Sequence, residues 1–343
     1  MTGQQRKSRK GSPAEKFPVL LAGSAFLAGS RTLPSEEVDR AFGMPVGKLR
    51  SRAGIESLAY AAEDENELTL GTRAAQQALC AAGCGAQEID CIVATSETHH
   101  VYPSLAARLH SNLAARETCS AFDVGGACLG LINGLAVGQS LIVSGQARTV
   151  AVVTADVHSR TLVPGKVAGE FGGLFGDGAS AFLLRGAAPK TETLSYRLRE
   201  FLFGCAGQYS GAVTVAGMAN GNLDVHFDGE ALSRAAITRM EKVFSAIEKL
   251  SKIPRTAVGA FATHQPNPRL MSLLAKVAGV PPETFPPIAR TSGNLGSSTC
   301  GAALHAALQM AAACSTGRPR PIFLASLGPG LIFGGTWLAA CDV

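Results

Sequence analysis

Short runs of β-branched and other apolar residues alternate along the chain with longer stretches rich in alanine and leucine. The short runs occur at residues 89–94, 149–153 and 322–325 and are typical of buried strands. The longer stretches predict helices at residues 72–82, 103–114, 128–143, 232–251, 268–278 and 301–313. Strands that alternate with helices predict an α/β fold with a largely parallel sheet that is covered by helices on both faces.

The same order of elements occurs twice along the chain. Residues 89–156 and 257–328 each run strand, polar loop, Pro-led helix, strand, Gly turn, Ala/Gly-rich helix and strand. We therefore predict a duplicated core, with an N-terminal half at residues 18–190 and a C-terminal half at residues 191–343. The loop-rich segment 195–229 is predicted to be a lid or a pocket wall.

The net charge of +5 is concentrated at the N-terminus. Residues 1–17 contain five Lys or Arg residues and one Glu, so the rest of the chain is close to +1. A nucleic-acid-binding protein needs a basic face on the fold itself, so no nucleic-acid partner is predicted. Residues 1–17 are polar and are predicted to be a disordered basic tail.

The apolar segments are too short to predict a membrane span. The longest, residues 129–143, contains Asn133 and Gln139, whereas a spanning helix needs about 20 apolar residues. The N-terminus lacks the apolar core of a signal peptide, so the nine cysteines are predicted to be reduced thiols in the cytoplasm. Cys80 and Cys84 lie one helical turn apart without a second ligand pair, so no metal site is predicted.

Cys128 differs from the other cysteines in its position. A predicted strand at residues 121–124 leads into the turn 125–127 (GGA), and a helix begins directly afterwards. At a helix N-terminus the free N–H groups and the helix dipole favour the thiolate over the thiol. The layout resembles a nucleophile elbow, so we predict that Cys128 is a nucleophile. A buried structural cysteine is the alternative.

Glycines recur every four residues in the helix that follows, at Gly126, Gly130, Gly134 and Gly138. An interior glycine costs a helix about 1 kcal/mol relative to alanine, so the stripe needs a compensating contact. We predict a structural role, in which the stripe packs against the helix at residues 301–313.

A cysteine nucleophile needs polar partners, and His264 is the candidate among the seven histidines. It follows a predicted strand and opens the segment 264–267 (HQPN), at the edge where a parallel sheet binds ligands. Asn294 lies in the Gly turn of the second half, which corresponds to the turn that holds Cys128. The repeat therefore predicts that these three side chains meet.

Several segments resemble motifs of the ketoacyl synthase III branch of the thiolase superfamily, and the resemblance covers residues 18–343. They are residues 123–130 (DVGGACLG), 175–181 (FGDGASA), 264–267 (HQPN) and 293–298 (GNLGSS), with residues 102–104 (YPS) matching a further family segment.

The resemblance implies a thiolase-like five-layered αβαβα fold built from two duplicated halves, a homodimer, and a Cys-His-Asn site at the base of a pantetheine tunnel. It implies that Cys128 takes an acyl group from an acyl-CoA or acyl carrier protein thioester. His264 and Asn294 then hydrogen-bond the thioester oxygen of a malonyl-type extender as CO₂ leaves. The product is a β-ketoacyl thioester, as in fatty acid biosynthesis, and neither a metal nor another cofactor is implied. Substrate-binding or oxyanion roles are implied for four further residues, Arg52, Asn267, Gly328 and Gly330.

The sequence departs from the family pattern in three places. Family members that use acyl-CoA carry a Trp before an Arg-Thr-Gly turn, whereas residues 48–55 (KLRSRAGI) contain no Trp and read Arg-Ala-Gly from Arg52. A second family Arg has no counterpart in residues 167–170 (VAGE). Residues 327–330 (LGPG) resemble the chalcone-synthase-like polyketide synthases, and Pro329 has no N–H to donate. The sequence therefore does not decide whether the acyl donor is a CoA thioester or a carrier-protein thioester.

The first functional hypothesis is a decarboxylating condensation. One alternative is transfer of the Cys128 acyl group to an alcohol or amine of a secondary metabolite. Others are a head-to-head condensation of two acyl chains and a catalytically silent dimer partner. The presence of Cys128, His264 and Asn294 argues against the silent partner.

Overall fold

The computed structural model describes residues 18–186, 196–217, 223–312 and 319–341. The predicted tail at residues 1–17 and the predicted boundary between residues 190 and 191 lie outside these ranges and stay predictions.

The first half of the chain forms β1 to β7 and α1 to α5. The strands are β1 (Val19–Ala28), β2 (Arg31–Pro34), β3 (Ser57–Tyr60), β4 (Cys91–Thr95), β5 (Ser120–Asp123), β6 (Thr149–Val157) and β7 (Asp177–Gly186). The helices are α1 (Ser35–Ala41), α2 (Glu67–Ala81), α3 (Leu105–Asn112), α4 (Gly130–Val143) and α5 (Gly169–Gly172).

The second half forms β8 to β14 and α6 to α9. The strands are β8 (Tyr196–Leu198), β9 (Leu202–Cys205), β10 (Val213–Gly217), β11 (Leu223–Phe227), β12 (Ala260–Thr263), β13 (Ile322–Gly328) and β14 (Ile332–Ala340). The helices are α6 (Gly229–Ser251), α7 (Pro268–Ala278), α8 (Ala289–Ser292) and α9 (Ser297–Ala312). All six predicted helices are present, as α2, α3, α4, α6, α7 and α9. Residue 313, the predicted end of the last one, lies outside the described ranges.

The principal sheet has the same pairing pattern on both sides of its centre. Its strand order is β12-β13-β14-β8-β1-β7-β6-β4-β5, with β9 paired to β14. In the first half, β7 lies antiparallel between β1 and β6, and β6 is parallel to β4. In the second half, β14 lies antiparallel between β8 and β13, and β13 is parallel to β12. The sheet is thus mixed rather than largely parallel, because one antiparallel strand is inserted in each half.

Helices cover both faces of each half of the sheet, which produces five layers. All nine residues of β6 are buried. Val150 and Val152 face a central core that α4 and α9 share with strands of both halves. Ala151 and Val153 face an outer core with α2 and α3. A second outer core joins α6 and α7 to β12, β13 and β14. This layering confirms the predicted αβαβα architecture.

The glycine stripe packs against the sheet, so the predicted helix partner is wrong. A Cβ added at Gly134 would lie 2.8 Å from Cγ1 of Val152, and one at Gly138 would lie 2.9 Å from Cδ1 of Leu184. Gly130 lies directly against Thr95 in the same way. The glycines therefore let α4 approach β4, β6 and β7 more closely than side chains would allow.

The described ranges contain no helix with the length and apolar character that a membrane span requires.

Candidate active site

Cys128 lies on a tight elbow between β5 and α4, as the sequence predicts. A short 3₁₀ helix, Ala127–Leu129, forms the elbow, and Cys128 is 8% exposed. Gly126 has a φ of 134° and Ala127 a φ of 47°. The left-handed conformation costs a residue with a Cβ roughly 1–2 kcal/mol, so the surrounding contacts have to hold Ala127 in place.

Two hydrogen bonds from other elements hold the elbow. Nδ2 of Asn133 donates to the carbonyl of Gly125 at 2.9 Å. Oγ of Ser326, a buried residue of β13, donates to the carbonyl of Cys128 at 2.6 Å. The second bond joins the Cys128 elbow of the first half to β13 of the second half.

His264 directly follows β12, and its loop is fixed by the neighbouring glutamine. The His264 N–H donates to the carbonyl of Ala325 at 3.4 Å, which continues the β12–β13 pairing. Nε2 of Gln265 donates to the carbonyl of Pro286 at 2.6 Å, and its Oε1 accepts from the amides of residues 288 and 289. His264 is 6% exposed, and its Nδ1 has no hydrogen-bond partner among the described residues.

Asn294 lies in the turn between α8 and α9, where the backbone fixes its orientation. Its N–H donates to the carbonyl of Leu174 at 2.9 Å, and its carbonyl accepts from Gly176 at 2.9 Å. Its side-chain Oδ1 accepts from the N–H of Gly296 at 3.0 Å and from Oγ1 of Thr299 at 3.2 Å. Because both donors hold the oxygen, the amino group of the amide is the part left to donate elsewhere.

Cys128, His264 and Asn294 line one cavity of about 170 Å³. β10 and β11 contribute side chains to its wall, so the segment predicted as a lid or a pocket wall does border the site. The walls are mainly apolar and include Phe171, Leu174, Phe175, Val213, Val215, Phe227, Leu232, Leu270 and Leu327. Such walls suit an acyl chain and exclude water from the polar groups.

Two of the four other predicted residues, Asn267 and Gly328, also line this cavity. Oδ1 of Asn267 accepts from the N–H of Leu270 at 2.9 Å, so this side chain is the N-cap of α7. A Cβ added at Gly328 would lie 3.0 Å from the carbonyl oxygen of Gly126, so the strand passes close to the elbow. Their substrate-binding roles stay predictions.

The structure does not bring Arg52 and Gly330 into the cavity lining. Arg52 is exposed on the π-helical turn Leu49–Ala53. Gly330 has a φ of 76°, and its carbonyl accepts from the thiol of Cys205 at 3.8 Å, outside the cavity. The Gly-Pro-Gly turn therefore contributes Gly328 and Pro329 to the wall, but not Gly330.

The site also contains a buried acidic cluster, which the sequence analysis did not predict. Oδ1 of Asp156 accepts from the N–H of Glu97 at 2.6 Å. Its Oδ2 accepts from Oγ of Ser297 at 2.5 Å and from the N–H of Ser298 at 3.2 Å. Oε2 of Glu97 lies 3.7 Å from Nε2 of His158, and Glu97 also lines the cavity.

A sequence signal for this cluster does exist. Glu97 follows β4, while Asp156 and His158 lie at the end of β6, its parallel neighbour in the sheet. Polar residues after neighbouring parallel strands meet at one edge, where α/β sheets bind ligands.

The structure corrects the expectation that Cys128 is a ready thiolate. Burial raises the pKa of Cys128 well above its usual range, and the nearby carboxylates of Glu97 and Asp156 raise it further. The dipole of one short 3₁₀ turn is outweighed by the loss of water and by two anions. The resting group at neutral pH is therefore a thiol.

The other titratable groups divide into one charged cluster and one neutral ring. Burial lowers the pKa of His264 to about 4, so its imidazole is neutral. Burial also opposes the charged form of His158, but the Glu97 and Asp156 carboxylates outweigh it and raise the pKa to about 9. Burial and the charge of Glu97 raise the pKa of Asp156 to about 6.

The arrangement can bind a carbonyl or enolate oxygen next to a sulfur nucleophile. A neutral imidazole and a fixed amide offer hydrogen bonds to a developing negative charge without carrying charge themselves. The described residues contain no group of three or more His, Cys, Asp or Glu side chains placed to hold a metal ion.

Comparison with known proteins gives the family. The family model of 3-oxoacyl-[acyl-carrier-protein] synthase III matches residues 122–200, and the model of its C-terminal part matches residues 249–340. The chain is 31% identical over 324 residues to the β-ketoacyl-[acyl-carrier-protein] synthase III of Granulibacter bethesdensis, covering 92% of this chain and 97% of that protein. The chain belongs to the 3-oxoacyl-[acyl-carrier-protein] synthase III family.

Further relatives agree with this placement. The synthase III of Serratia proteamaculans is 32% identical over 267 residues, covering 76% of this chain and 80% of that protein. The crystal structure of 3-oxoacyl-(acyl carrier protein) synthase III from Pseudomonas aeruginosa PAO1 superposes with a TM-score of 0.83 at 24% identity, covering 95% of this chain and 99% of that one. This likeness confirms the predicted fold, and the family places the chain among the acyltransferases.

The raised pKa of Cys128 predicts slow alkylation at neutral pH. The alkylation rate should increase with pH to a midpoint above that of a small free thiol, because thiolate is the reactive form. Glu97→Gln removes one of the two anions and should move the midpoint to lower pH. Iodoacetamide labelling of the Cys128 peptide, followed by mass spectrometry, measures this.

Glu88→Gln is the matched control, because Glu88 is an exposed partner of Arg185 and should leave the midpoint in place. An equal midpoint in wild type and Glu97→Gln would contradict the electrostatic account.

Proposed function

We propose that this synthase III family member joins an acyl group held on Cys128 to the α-carbon of a malonyl-type thioester, with loss of CO₂. One observation carries this proposal: Cys128, His264 and Asn294 line a single cavity with apolar walls. A sulfur nucleophile beside two neutral hydrogen-bonding groups is the set that acyl transfer followed by enolate formation requires.

The first step loads the acyl group. Sγ of Cys128 attacks the carbonyl carbon of an acyl thioester, a new S–C bond forms, and the C–S bond to the donor breaks. The thiol proton of Cys128 ends on the departing donor thiol, so a neutral thiol is exchanged for another neutral thiol. The apolar walls near β10 and β11 hold the acyl chain away from water.

The second step makes the carbon–carbon bond. Nε2–H of His264 and the amino group of Asn294 donate to the thioester oxygen of the malonyl group. The bond to CO₂ breaks, and its electron pair forms the enolate that these donors stabilise. The carbanion then attacks the acyl carbon, the bond to Sγ of Cys128 breaks, and the departing thiolate takes up one proton from solvent to restore the thiol. Because His264 is neutral at working pH, it donates without adding a strong acid that would quench the carbanion.

The two steps balance without a metal, nucleotide or redox group, so we propose that the enzyme needs no cofactor. The donor is an acyl thioester of CoA or of acyl carrier protein. Cys128 has to stay reduced for this chemistry, which favours a cytoplasmic location.

We also propose that the enzyme is a homodimer that forms along the β5 edge. Among the described residues, β5 pairs with β4 alone and is the last strand at its end of the sheet. Phe122 on this strand is 37% exposed, and Tyr102 in the loop before α3 is 97% exposed. A groove of about 600 Å³ beside this edge runs along α4 and is lined in part by Val124, Val137 and Leu141. A second copy related by a two-fold axis would pair the open edge and cover these apolar side chains.

The nucleophile assignment is tested by intact-mass measurement after incubation with a panel of acyl-CoAs and acyl carrier protein thioesters. Wild type should gain the mass of one acyl group, and Cys128→Ala should gain none. Addition of malonyl thioester should release CO₂ and discharge the acyl-enzyme. No adduct in wild type, or an adduct that persists in Cys128→Ala, would contradict the assignment, and discharge without CO₂ would contradict the condensation.

The dimer is tested by sedimentation velocity of the full chain. The sedimentation of wild type should correspond to twice the chain mass. The double variant Phe122→Lys, Val137→Lys should shift the equilibrium toward the monomer, because dimerisation would bury the two introduced charges. Leu250→Lys is the control, since Leu250 is 55% exposed on α6. A wild-type monomer, or a dimer that both sets of substitutions leave intact, would contradict this interface.

A further inference from the structure

Glu97 lines the cavity, but the proposed condensation does not use its carboxylate. It lines the same cavity as Cys128 and His264. Its Oε1 is buried and has no hydrogen-bond partner among the described residues. In a decarboxylating condensation the electron pair of the carbanion comes from the bond to CO₂, so no base has to remove a proton from the extender.

The position of Glu97 is fixed by the protein. Its N–H donates to Asp156 at 2.6 Å. The next residue, Thr98, donates through Oγ1 to Oε1 of Glu67 at 2.6 Å and accepts from the N–H of Val157 at 2.9 Å. A Cβ added at Gly296 would lie 2.6 Å from Cε1 of His158 and 3.0 Å from Oε1 of Glu97, so the turn before α9 packs closely against both side chains. A carboxylate held this rigidly is preorganised for a reaction.

The surroundings keep Glu97 ionised beside the sulfur. Burial opposes the charge, but the hydrogen bond and charge of His158 outweigh it, so the pKa of Glu97 is lowered. Cys128 and His264 also face Glu97, and Asp156 adds a second negative charge. An anion at this place attracts a proton from a neutral acceptor.

We propose that Glu97 is a general base that enables the enzyme to transfer the Cys128 acyl group to a hydroxyl or amine acceptor with an apolar body. This rests on the acyl-enzyme proposed above, but not on the condensation. Glu97 Oε1 supplies the base, and the apolar walls of the cavity hold the acceptor.

The step balances within the site. The acceptor oxygen or nitrogen forms a bond to the acyl carbon while its proton moves to the Glu97 carboxylate. The bond between the acyl carbon and Sγ of Cys128 breaks, and the sulfur leaves as thiolate. Glu97 then gives the proton to that thiolate, which restores the thiol and the carboxylate. The products are an ester or an amide and the free enzyme.

The test compares two acceptors on the same acyl-enzyme. Wild type is acylated with the best thioester from the panel above and then supplied with primary alcohols and amines that carry aliphatic or aromatic bodies, or with malonyl thioester. Ester, amide and β-ketoacyl products are measured by mass spectrometry. The readout is the ratio of kcat/KM for the hydroxyl or amine acceptor to kcat/KM for malonyl thioester.

Glu97→Gln should lower this ratio by at least about 100-fold, the usual contribution of a general base. Glu88→Gln, on the surface, should leave the ratio at its wild-type value. The proposal is wrong if acylated wild type makes no ester or amide with any acceptor, or if Glu97→Gln lowers both reactions equally, as a purely structural role would. Failure of acylation itself would instead contradict the acyl-enzyme and therefore the proposed function.

Discussion

The buried carboxylate of Asp156 links the two halves of the active site. One oxygen holds the backbone of Glu97 in the first half, and the other holds Ser297 and Ser298 at the start of α9 in the second half. The turn with Asn294 directly precedes α9, so these bonds hold that turn against the first half of the chain. Hydrogen bonds from four residues, the fourth being Ser96, offset part of the cost of burying the charge.

The same cluster decides the charge state of the site. Burial raises the pKa of Cys128, and the carboxylates of Glu97 and Asp156 raise it further, while the same two carboxylates hold His158 in its protonated form. His264 receives less of this field because burial dominates its environment, and it stays neutral. The cavity is therefore lined by a thiol, two neutral polar side chains and the Glu97 carboxylate, while Asp156 and His158 lie outside its lining. This separation allows an enolate to form without a competing positive charge on His264.

Local signals in the sequence predicted the parts of the site that depend on neighbouring residues. The turns at Cys128 and Asn294 are recognisable because glycines precede and follow them, and His264 is recognisable because a strand ends beside it. Partners that depend on distant parts of the chain were not predictable in the same way. Two features follow from the order of strands in the sheet, which periodicity alone does not give. One is which strands the glycine stripe packs against. The other is the rise in the pKa of Cys128 that Glu97 and Asp156 cause.

The central claim is that His264 and Asn294 stabilise the enolate independently of the nucleophile. CO₂ release from malonyl thioester by Cys128→Ala, compared with Cys128→Ala combined with Asn294→Ala, tests this most directly. The first variant should still release CO₂. The second should release it at least about 100-fold more slowly, the usual effect of removing one oxyanion donor. Equal rates of CO₂ release from the two variants would contradict the account.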